Sequence, residues 1–253
     1  FNMLRKHIKL EPYRWYYHCD CEGVLVWQDM VSGGGEYSFW IIGALPFLGL
    51  HLKDDHYRIF GRGNKEGREE YTRDLVDTVN ALKNFVSIAV WVPFNEGWGQ
   101  FDSAAAAAKI REIDPTRPID EVSGWHDQGG GEFKSLHIYF RPVTLPKDEK
   151  RAILLSEFGG YSMPVEGHMF NPEKLFGYKM FESPEKLTEG FKKLYETEVI
   201  PLVKKGLSAA VYTQLSDVEE EINGLVTYDR KVVKFDKATL KDINARVMGE
   251  LSE

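Results

Sequence analysis

The chain has 253 residues, of which 43% are hydrophobic and 13% aromatic, so it can bury a large core and is not a disordered segment. Its 32 basic and 39 acidic side chains give a net charge of −7, which argues against a surface for nucleic acid or for an anionic membrane. Two cysteines are too few for a disulfide-stapled scaffold.

Short apolar runs alternate with amphipathic segments along the chain, which is the pattern of a parallel α/β sheet or barrel. Strands are predicted at residues 2–8, 24–27, 86–94, 119–122, 136–140, 153–155 and 207–214. Helices are predicted from Pro12 to Gly23, over 69–84, over 103–113 with Asp102 as the cap, over 183–205, and from near Asp236 onward. Because no linker or repeat divides this rhythm, residues 1–253 are predicted to form a single domain.

Residues 30–67 show no regular periodicity and are predicted to form a long, irregular loop. Its apolar stretch, residues 39–52, is too short to cross a bilayer, so no membrane association is predicted. One alternative is that this stretch is a docking patch of an interaction module. The first residues lack the apolar region of a signal peptide, and the compartment is left open.

Two of the predicted strands end in a glutamate, Glu96 and Glu157. In a βα barrel the C-terminal strand ends lie on one face, where two such carboxylates could face each other across a substrate. A separation of about 5–5.5 Å would make one of them a nucleophile on a sugar, whereas roughly 6.5–9.5 Å would admit a water molecule and lead to inversion. Each glutamate alone also fits an ordinary exposed strand end. The histidines lack metal-ligand spacing, so no metal site is predicted.

Several motifs resemble the (β/α)8 catalytic barrel of glycoside hydrolase family 2. They are residues 91–100, 155–160, 114–118, 19–20, 23–30, 223–225 and 228–230, and they occur in the family's order along almost the whole chain. The resemblance implies a retaining, exo-acting β-glycosidase that needs no cofactor, with Glu96 as acid/base and Glu157 as nucleophile. A β-galactoside is the substrate that this resemblance favours.

The resemblance also implies residues that support the nucleophile. Arg5 on the first strand would favour the ionised form of Glu157, and an ordinary buried ion pair is the alternative for this arginine. Tyr139 would donate a hydrogen bond to Glu157, with His137 nearby.

Further candidates would contact the carbohydrate itself. Asn95 precedes the acid/base, and Gln214 follows the last strand. Trp98 and Trp125 are candidate sugar platforms, with packing in the core or in a loop as their alternative. Asp29 is expected either to support the site or to cap its strand. The acidic run 219–221 is expected to be a solvated face.

The chain departs from the family pattern at its beginning, where no strand and helix precede residue 2. The expected fold is therefore a TIM-type (β/α)8 barrel without its first βα unit, with seven strands. Such a barrel would expose strand edges through which the chain could form homo-oligomers. A catalytically impaired, carbohydrate-binding barrel is the alternative function.

Overall fold

The computed structural model describes residues 1–147 and 149–250, with the exception of the side chain of residue 250. These residues group into two compact units. The first comprises Phe1–Leu136 and Lys150–Ala152, and the second comprises the remaining described residues. The single domain predicted over residues 1–253 stays a prediction.

The first unit is built on parallel strands. They are β1 (Met3–Lys6), β2 (Leu25–Asp29), β3 (Ile88–Val92), β4 (Phe94–Asn95) and β5 (Val122–Ser123). β1, β2 and β3 pair side by side in that order, and β4 pairs with β5. A parallel bridge between Trp91 and Ile119 places the segment that leads into β5 beside β3. Polar residues at the C-terminal ends of β1, β2 and β4 therefore lie at one edge.

The helices of the first unit are α1 (Tyr13–Glu22), α2 (Leu45–Phe47), α3 (Lys65–Leu82) and α4 (Ser103–Ile113). α1 ends at Gly23, whose φ of 68° is the left-handed conformation that glycine favours. α3 begins four residues earlier than predicted, because the Asn64 side chain caps it by accepting the N–H of Gly67. Asp102 lies at the N-cap position of α4 as predicted, but its side chain does not cap the helix, since the carboxylate accepts the Tyr57 hydroxyl instead.

Residues 30–67 are also less irregular than predicted. A π-helical turn, Trp40–Ala44, runs directly into α2. Ile42 is fully buried on this turn, whereas Trp40 and Leu48 remain largely exposed. The segment 39–52 is thus anchored by one side and presents apolar side chains on the other.

The core of the first unit lies where α1, α3 and α4 pack on the sheet. Tyr16, Leu75, Val79, Trp91 and Ile110 are all buried there.

A polar link ties α4 to the sheet and accounts for the motif at residues 114–118. Asp114 accepts hydrogen bonds from the Trp91 indole N–H at 2.9 Å and from the Arg117 guanidinium at 2.6 Å. Thr116 donates to the same carboxylate. Residues 114–118 therefore have a structural role.

The strand β6 (Phe133–Ile138) runs from the first unit into the second, to which its last two residues belong. The other strands are β7 (Ala152–Gly159), β8 (Tyr161–Ser162), β9 (Lys179–Met180) and β10 (Leu207–Thr213). The sheet has the order β6, β7, β10, and β7 runs parallel to β10. β8 and β9 form a separate parallel pair.

The helices of the second unit are α5 (Pro184–Leu194), α6 (Ile200–Val203) and α7 (Lys237–Glu250). A π-helical turn, Tyr195–Val199, joins α5 to α6, so the helix predicted over 183–205 is one helical segment with a local irregularity. Aromatic side chains dominate the core of this unit. Phe158, Phe191, Tyr195, Tyr212 and Phe235 form it.

The predicted α/β class with parallel strands is confirmed, and each of the seven predicted strands overlaps an observed strand. The largest displacement is at β7, which ends four residues after the predicted end at residue 155, and β6 begins three residues before the predicted start at residue 136. The closed (β/α)8 barrel stays a prediction. None of the helices in the described part of the chain is long and apolar enough to span a membrane.

Candidate active site

Glu96, the first candidate glutamate, follows the short strand β4, both residues of which are buried. β4 pairs with β5 through Asn95 and Ser123. The backbone of Glu96 then adopts a left-handed φ of 53°, and its N–H donates to the Ser123 carbonyl at 2.9 Å. Such a conformation costs a non-glycine residue about 1–3 kcal/mol and persists where the surrounding structure fixes it, often at functional sites. A constrained backbone therefore sets the position of the half-buried Glu96.

Asn95 is held by a polar cluster at the C-terminal ends of β1 and β2, which we call the Arg5 cluster. The Arg5 guanidinium donates to both carboxylate oxygens of Asp29, at 3.0 and 2.8 Å, and to Asn95 Oδ1 at 2.8 Å. Asn95 Nδ2 lies 3.1 Å from His7 Nε2. Because the Arg5 and Asp29 side chains are each 2% exposed, this is a buried, bidentate ion pair.

The Arg5 cluster bears on two of the expectations from sequence. An ion pair was the alternative for Arg5, and the guanidinium does make one with Asp29. Asp29 supports the neighbouring side chains and also accepts the N–H of Ile8 at 3.3 Å.

The loop after Glu96 is packed tightly against His126, a residue that the sequence did not single out. A Cβ on Gly97, whose φ is 78°, would lie 2.7 Å from the His126 ring, so only glycine fits. His126 Nδ1 accepts the N–H of Leu52 at 3.1 Å, and its Nε2 lies 2.9 Å from the Ile42 carbonyl. Burial lowers the pKa of His126, which fits a neutral ring that donates through Nε2. His126 therefore anchors segment 39–52 beside the Glu96 loop.

The two tryptophans predicted as sugar platforms are both half-buried in the first unit. Trp125 packs against Phe47, with ring centroids 5.9 Å apart and planes inclined by 59°. One part of the Trp125 ring is thus used in packing, and each tryptophan keeps a partly exposed surface.

Glu157, the second candidate glutamate, lies near the end of β7 and is contacted by two side chains from β6 and the residue that follows it. The Tyr139 hydroxyl donates to Glu157 Oε2 at 2.5 Å and lies 3.1 Å from Thr213 Oγ1. His137 Nδ1 is 3.5 Å from the same oxygen, and the histidine side chain is 1% exposed. We call these four residues the Glu157 cluster. One oxygen of the carboxylate is held by partners from β6 and from the residue that follows it.

Tyr139 is fixed as a hydrogen-bond donor. Its ring stacks on that of Tyr178, with centroids 3.8 Å apart and planes inclined by 2°. Burial, together with the charge of Glu157, raises the pKa of Tyr139 well above its ordinary value. The hydroxyl therefore stays protonated throughout the physiological pH range and donates to the carboxylate.

The glycines after Glu157 explain the motif at residues 155–160. Gly159 has a φ of 84°, and a Cβ there would lie 2.3 Å from the Tyr212 ring on β10. Gly160 has a φ of 64° and is as close to Tyr178. Both glycines let aromatic rings pack directly on the backbone beside the Glu157 cluster.

Gln214 follows β10 and contacts two residues of the next loop. Its Nε2 donates to Glu221 Oε2 at 3.0 Å and to Asn223 Oδ1 at 2.6 Å. Because Glu221 is half-buried and hydrogen-bonded, the prediction that it belongs to a solvated acidic face is wrong for this residue.

Within the first unit the structure brings together Arg5 and Asn95, and Glu96 follows directly. Within the second it brings together His137, Tyr139 and Glu157. Residues of these surroundings that the sequence did not indicate are His7, His126, Tyr178 and Thr213. Their partners are distant along the chain, and no local pattern marks them.

Comparison with known proteins finds similarity to glycoside hydrolases. β-Mannosidase B from Aspergillus fumigatus is 30% identical over 105 residues, which are 42% of this chain and 10% of that protein. A glycoside hydrolase family 2 β-galacturonidase from Eisenbergiella tayi, bound to galacturonate, aligns with 100% of this chain and 45% of its own at 16% identity and a TM-score of 0.63. A β-D-glucuronidase from Dictyoglomus thermophilum aligns with 98% of this chain and 44% of its own, at 13% identity and a TM-score of 0.61.

The chain spans less than half the length of these three proteins. No protein-family profile matches it. The structural alignments nevertheless cover almost every residue of the chain. The chain therefore has the fold found in glycoside hydrolase family 2 structures, and the resemblance inferred from its motifs is confirmed at that level.

Proposed function

We propose that this chain is the catalytic part of a retaining β-glycoside hydrolase. The observation that carries the proposal is the Tyr139 hydroxyl donating to Glu157 Oε2 at 2.5 Å, within a motif of the resembled family. The names of the similar proteins, a β-mannosidase, a β-galacturonidase and a β-glucuronidase, support a β-glycoside as substrate.

Glu157 is the proposed nucleophile. The hydrogen bond from Tyr139 favours the ionised carboxylate, since a donor stabilises the charged form. It also holds one oxygen in place. A carboxylate oxygen attacks the anomeric carbon while the bond to the leaving oxygen breaks, which gives a glycosyl-enzyme ester.

Glu96 is the proposed acid/base. It gives its proton to the leaving oxygen in the first step and takes a proton from the attacking water in the second, so the enzyme returns to its starting state. The proposal requires the two carboxyl groups to flank one glycosidic bond at about 5–5.5 Å. It thus includes a TIM-type barrel, formed by one domain, with both glutamates on the face of the C-terminal strand ends.

Arg5, Asn95, Trp98, Trp125, His137, Tyr139 and Gln214 are the proposed substrate-binding or supporting residues. Asn95 is positioned by the buried Arg5–Asp29 pair, so its amide has a defined orientation beside Glu96. The half-buried tryptophans each have ring surface left for a sugar face. A β-galactoside is the first substrate to test.

The experiment measures hydrolysis of 4-nitrophenyl β-galactoside, β-mannoside, β-glucuronide and β-galacturonide. Glu157→Gln should abolish turnover, and azide should rescue Glu157→Ala with an inverted glycosyl azide as product. Glu96→Ala should retain activity on the nitrophenyl glycoside while losing activity on alkyl glycosides, because only poor leaving groups need protonation.

Glu189→Gln on α5 and Glu70→Ala on α3 are matched controls, since both glutamates are exposed and should have wild-type activity. An equal loss on both substrate types in Glu96→Ala would contradict the assigned roles. A wild-type chain that binds sugars without hydrolysing any of them would instead identify a carbohydrate-binding barrel.

A further inference from the structure

The loop after β10 folds back onto Gln214. The N–H of Gln214 donates to the Asn223 carbonyl at 3.1 Å, and the N–H of Leu225 donates to the Gln214 carbonyl at 2.9 Å. A fully buried ion pair, Lys234 with Asp217 at 2.7 Å, lies under the same loop. Backbone hydrogen bonds therefore hold Gln214 against the loop at residues 223 and 225.

The Gln214 side chain can have one orientation only. Its Nε2 donates to the carboxylate of Glu221, which is an acceptor when ionised. If the Gln214 amide were flipped, its oxygen would face two other acceptor oxygens, those of Glu221 and Asn223. The same nitrogen donates to Asn223 Oδ1. The side-chain oxygen of Gln214, Oε1, therefore points away from Glu221 and Asn223.

The side-chain amide of Asn223 is buried with an unsatisfied hydrogen-bond donor. Its side chain is 0% exposed, and its Nδ2 has no hydrogen-bond partner among the described residues. A buried donor without an acceptor is unfavourable, and such groups in native structures call for a functional explanation. Rotating the Asn223 amide would satisfy nothing, since it would place two NH₂ groups against each other. The cost is consistent with a need to hold Gln214 and Glu221 in fixed positions.

Two routes connect Glu221 with the Glu157 cluster inside the second unit. Gln214 directly follows Thr213, whose Oγ1 lies 3.1 Å from the Tyr139 hydroxyl. In addition, the backbone of Phe176 pairs with both neighbours of Glu221, at residues 220 and 222. Tyr178, two residues further on, stacks on Tyr139. Glu221 is half-buried, and its hydrogen-bond partner Gln214 directly follows Thr213 of the Glu157 cluster.

We propose that Glu221 is a specificity residue that makes the sugar site select neutral β-glycosides and reject uronides. This inference rests on the proposed function and narrows its substrate class. A carboxylate can accept hydrogen bonds from sugar hydroxyl groups, whereas it repels the carboxylate of a uronide in a partly buried site where charges are weakly screened. The chain would then differ from the β-galacturonidase and the β-glucuronidase whose fold it shares.

The test compares substrates that differ only at carbon 6 of the sugar: 4-nitrophenyl β-galactoside against β-galacturonide, and β-glucoside against β-glucuronide. The wild-type chain should prefer the neutral member of the pair that it hydrolyses. Glu221→Gln should raise the uronide-to-neutral ratio of kcat/KM by about tenfold or more. The glutamine oxygen can still accept the hydrogen bond from Gln214, so this variant should keep the loop intact.

Glu219→Gln is the matched control, because it removes the same charge from an exposed position two residues away and should leave the ratio unchanged. Calorimetric binding of galactose and galacturonate to the wild type and to Glu221→Gln adds a readout that needs no turnover. A chain without hydrolytic activity that still binds galactose more tightly than galacturonate would refute the proposed function and keep the role of Glu221. A wild-type preference for uronides, or a Glu221→Gln ratio equal to that of the wild type, would overturn the inference.

Discussion

Tyr139→Phe removes one hydroxyl from the Glu157 cluster and leaves the stacked ring in place. The lost hydrogen bond runs to a carboxylate at 2.5 Å, and hydrogen bonds to charged groups contribute about 1.5–3 kcal/mol. If the same free energy is lost from the transition state, in which this hydrogen bond orients the attacking carboxylate, kcat should fall by about 10- to 150-fold, since ~1.4 kcal/mol is a factor of ten. Without the donor, the acid limb of the kcat/KM profile should also move to higher pH.

Thr213→Val is the control for Tyr139→Phe, because it removes only the second contact of the hydroxyl, at 3.1 Å. Activity should stay within about threefold of the wild type, as expected for one neutral hydrogen bond of about 0.5 kcal/mol. The assay is a pH profile of aryl glycoside hydrolysis from pH 4 to 9 for the three proteins. A Tyr139→Phe variant with an unchanged acid limb and less than a twofold loss of kcat would refute the role assigned to this hydroxyl.

Three further predictions concern stability and are checked by urea unfolding. Asp29→Asn removes the carboxylate of the buried, bidentate pair with Arg5, so unfolding should become easier by about 3 kcal/mol; a loss below 1 kcal/mol would contradict this. Lys234→Met should cost about 3–5 kcal/mol by isolating Asp217, and Lys234→Met/Asp217→Leu should recover more than half; a double variant as unstable as the single one would speak against a buried pair. Burial raises the pKa of Asp114, but the hydrogen bonds that it accepts outweigh this and lower the pKa from 3.8 to about 2. The lowered pKa contributes at most about 2 kcal/mol to the free energy of unfolding, which is present above pH 4 and lost between pH 4 and 2. The stability difference between the wild type and Asp114→Asn should therefore shrink between pH 4 and 2 and stay constant near neutral pH.

The positions of the strands and of most helix ends could be predicted because they depend on local chemistry. Apolar runs identified β2, β3 and β7, and Pro12, Gly23 and Ser183 bracket helices in the conformations that these residue types favour. The start of β6 was missed because Lys134 and Ser135 interrupt the apolar pattern, and their pairing is set by neighbouring strands. The turn and short helix at 40–47 were missed because an apolar run has no clear helical period.

The candidate site shows the same division. The family-like motifs predicted that Tyr139 and His137 lie beside Glu157, and the structure places both there. Thr213 joins them from 74 residues away in sequence, which no local pattern could indicate. For Glu221 the prediction from sequence was wrong, because three consecutive glutamates are typical of a solvated surface. The contact of Glu221 with Gln214 depends on how the loop folds back, which the sequence does not show.

The covalent intermediate tests the central claim most directly. The chain is incubated with an activated 2-deoxy-2-fluoro glycoside of the sugar that it hydrolyses, digested, and sequenced by mass spectrometry. Our account predicts one added fluoro-sugar on the peptide that contains Glu157, and no label in Glu157→Gln. A label on any other residue, or rapid turnover that gives an inverted product and no trapped species, would contradict it.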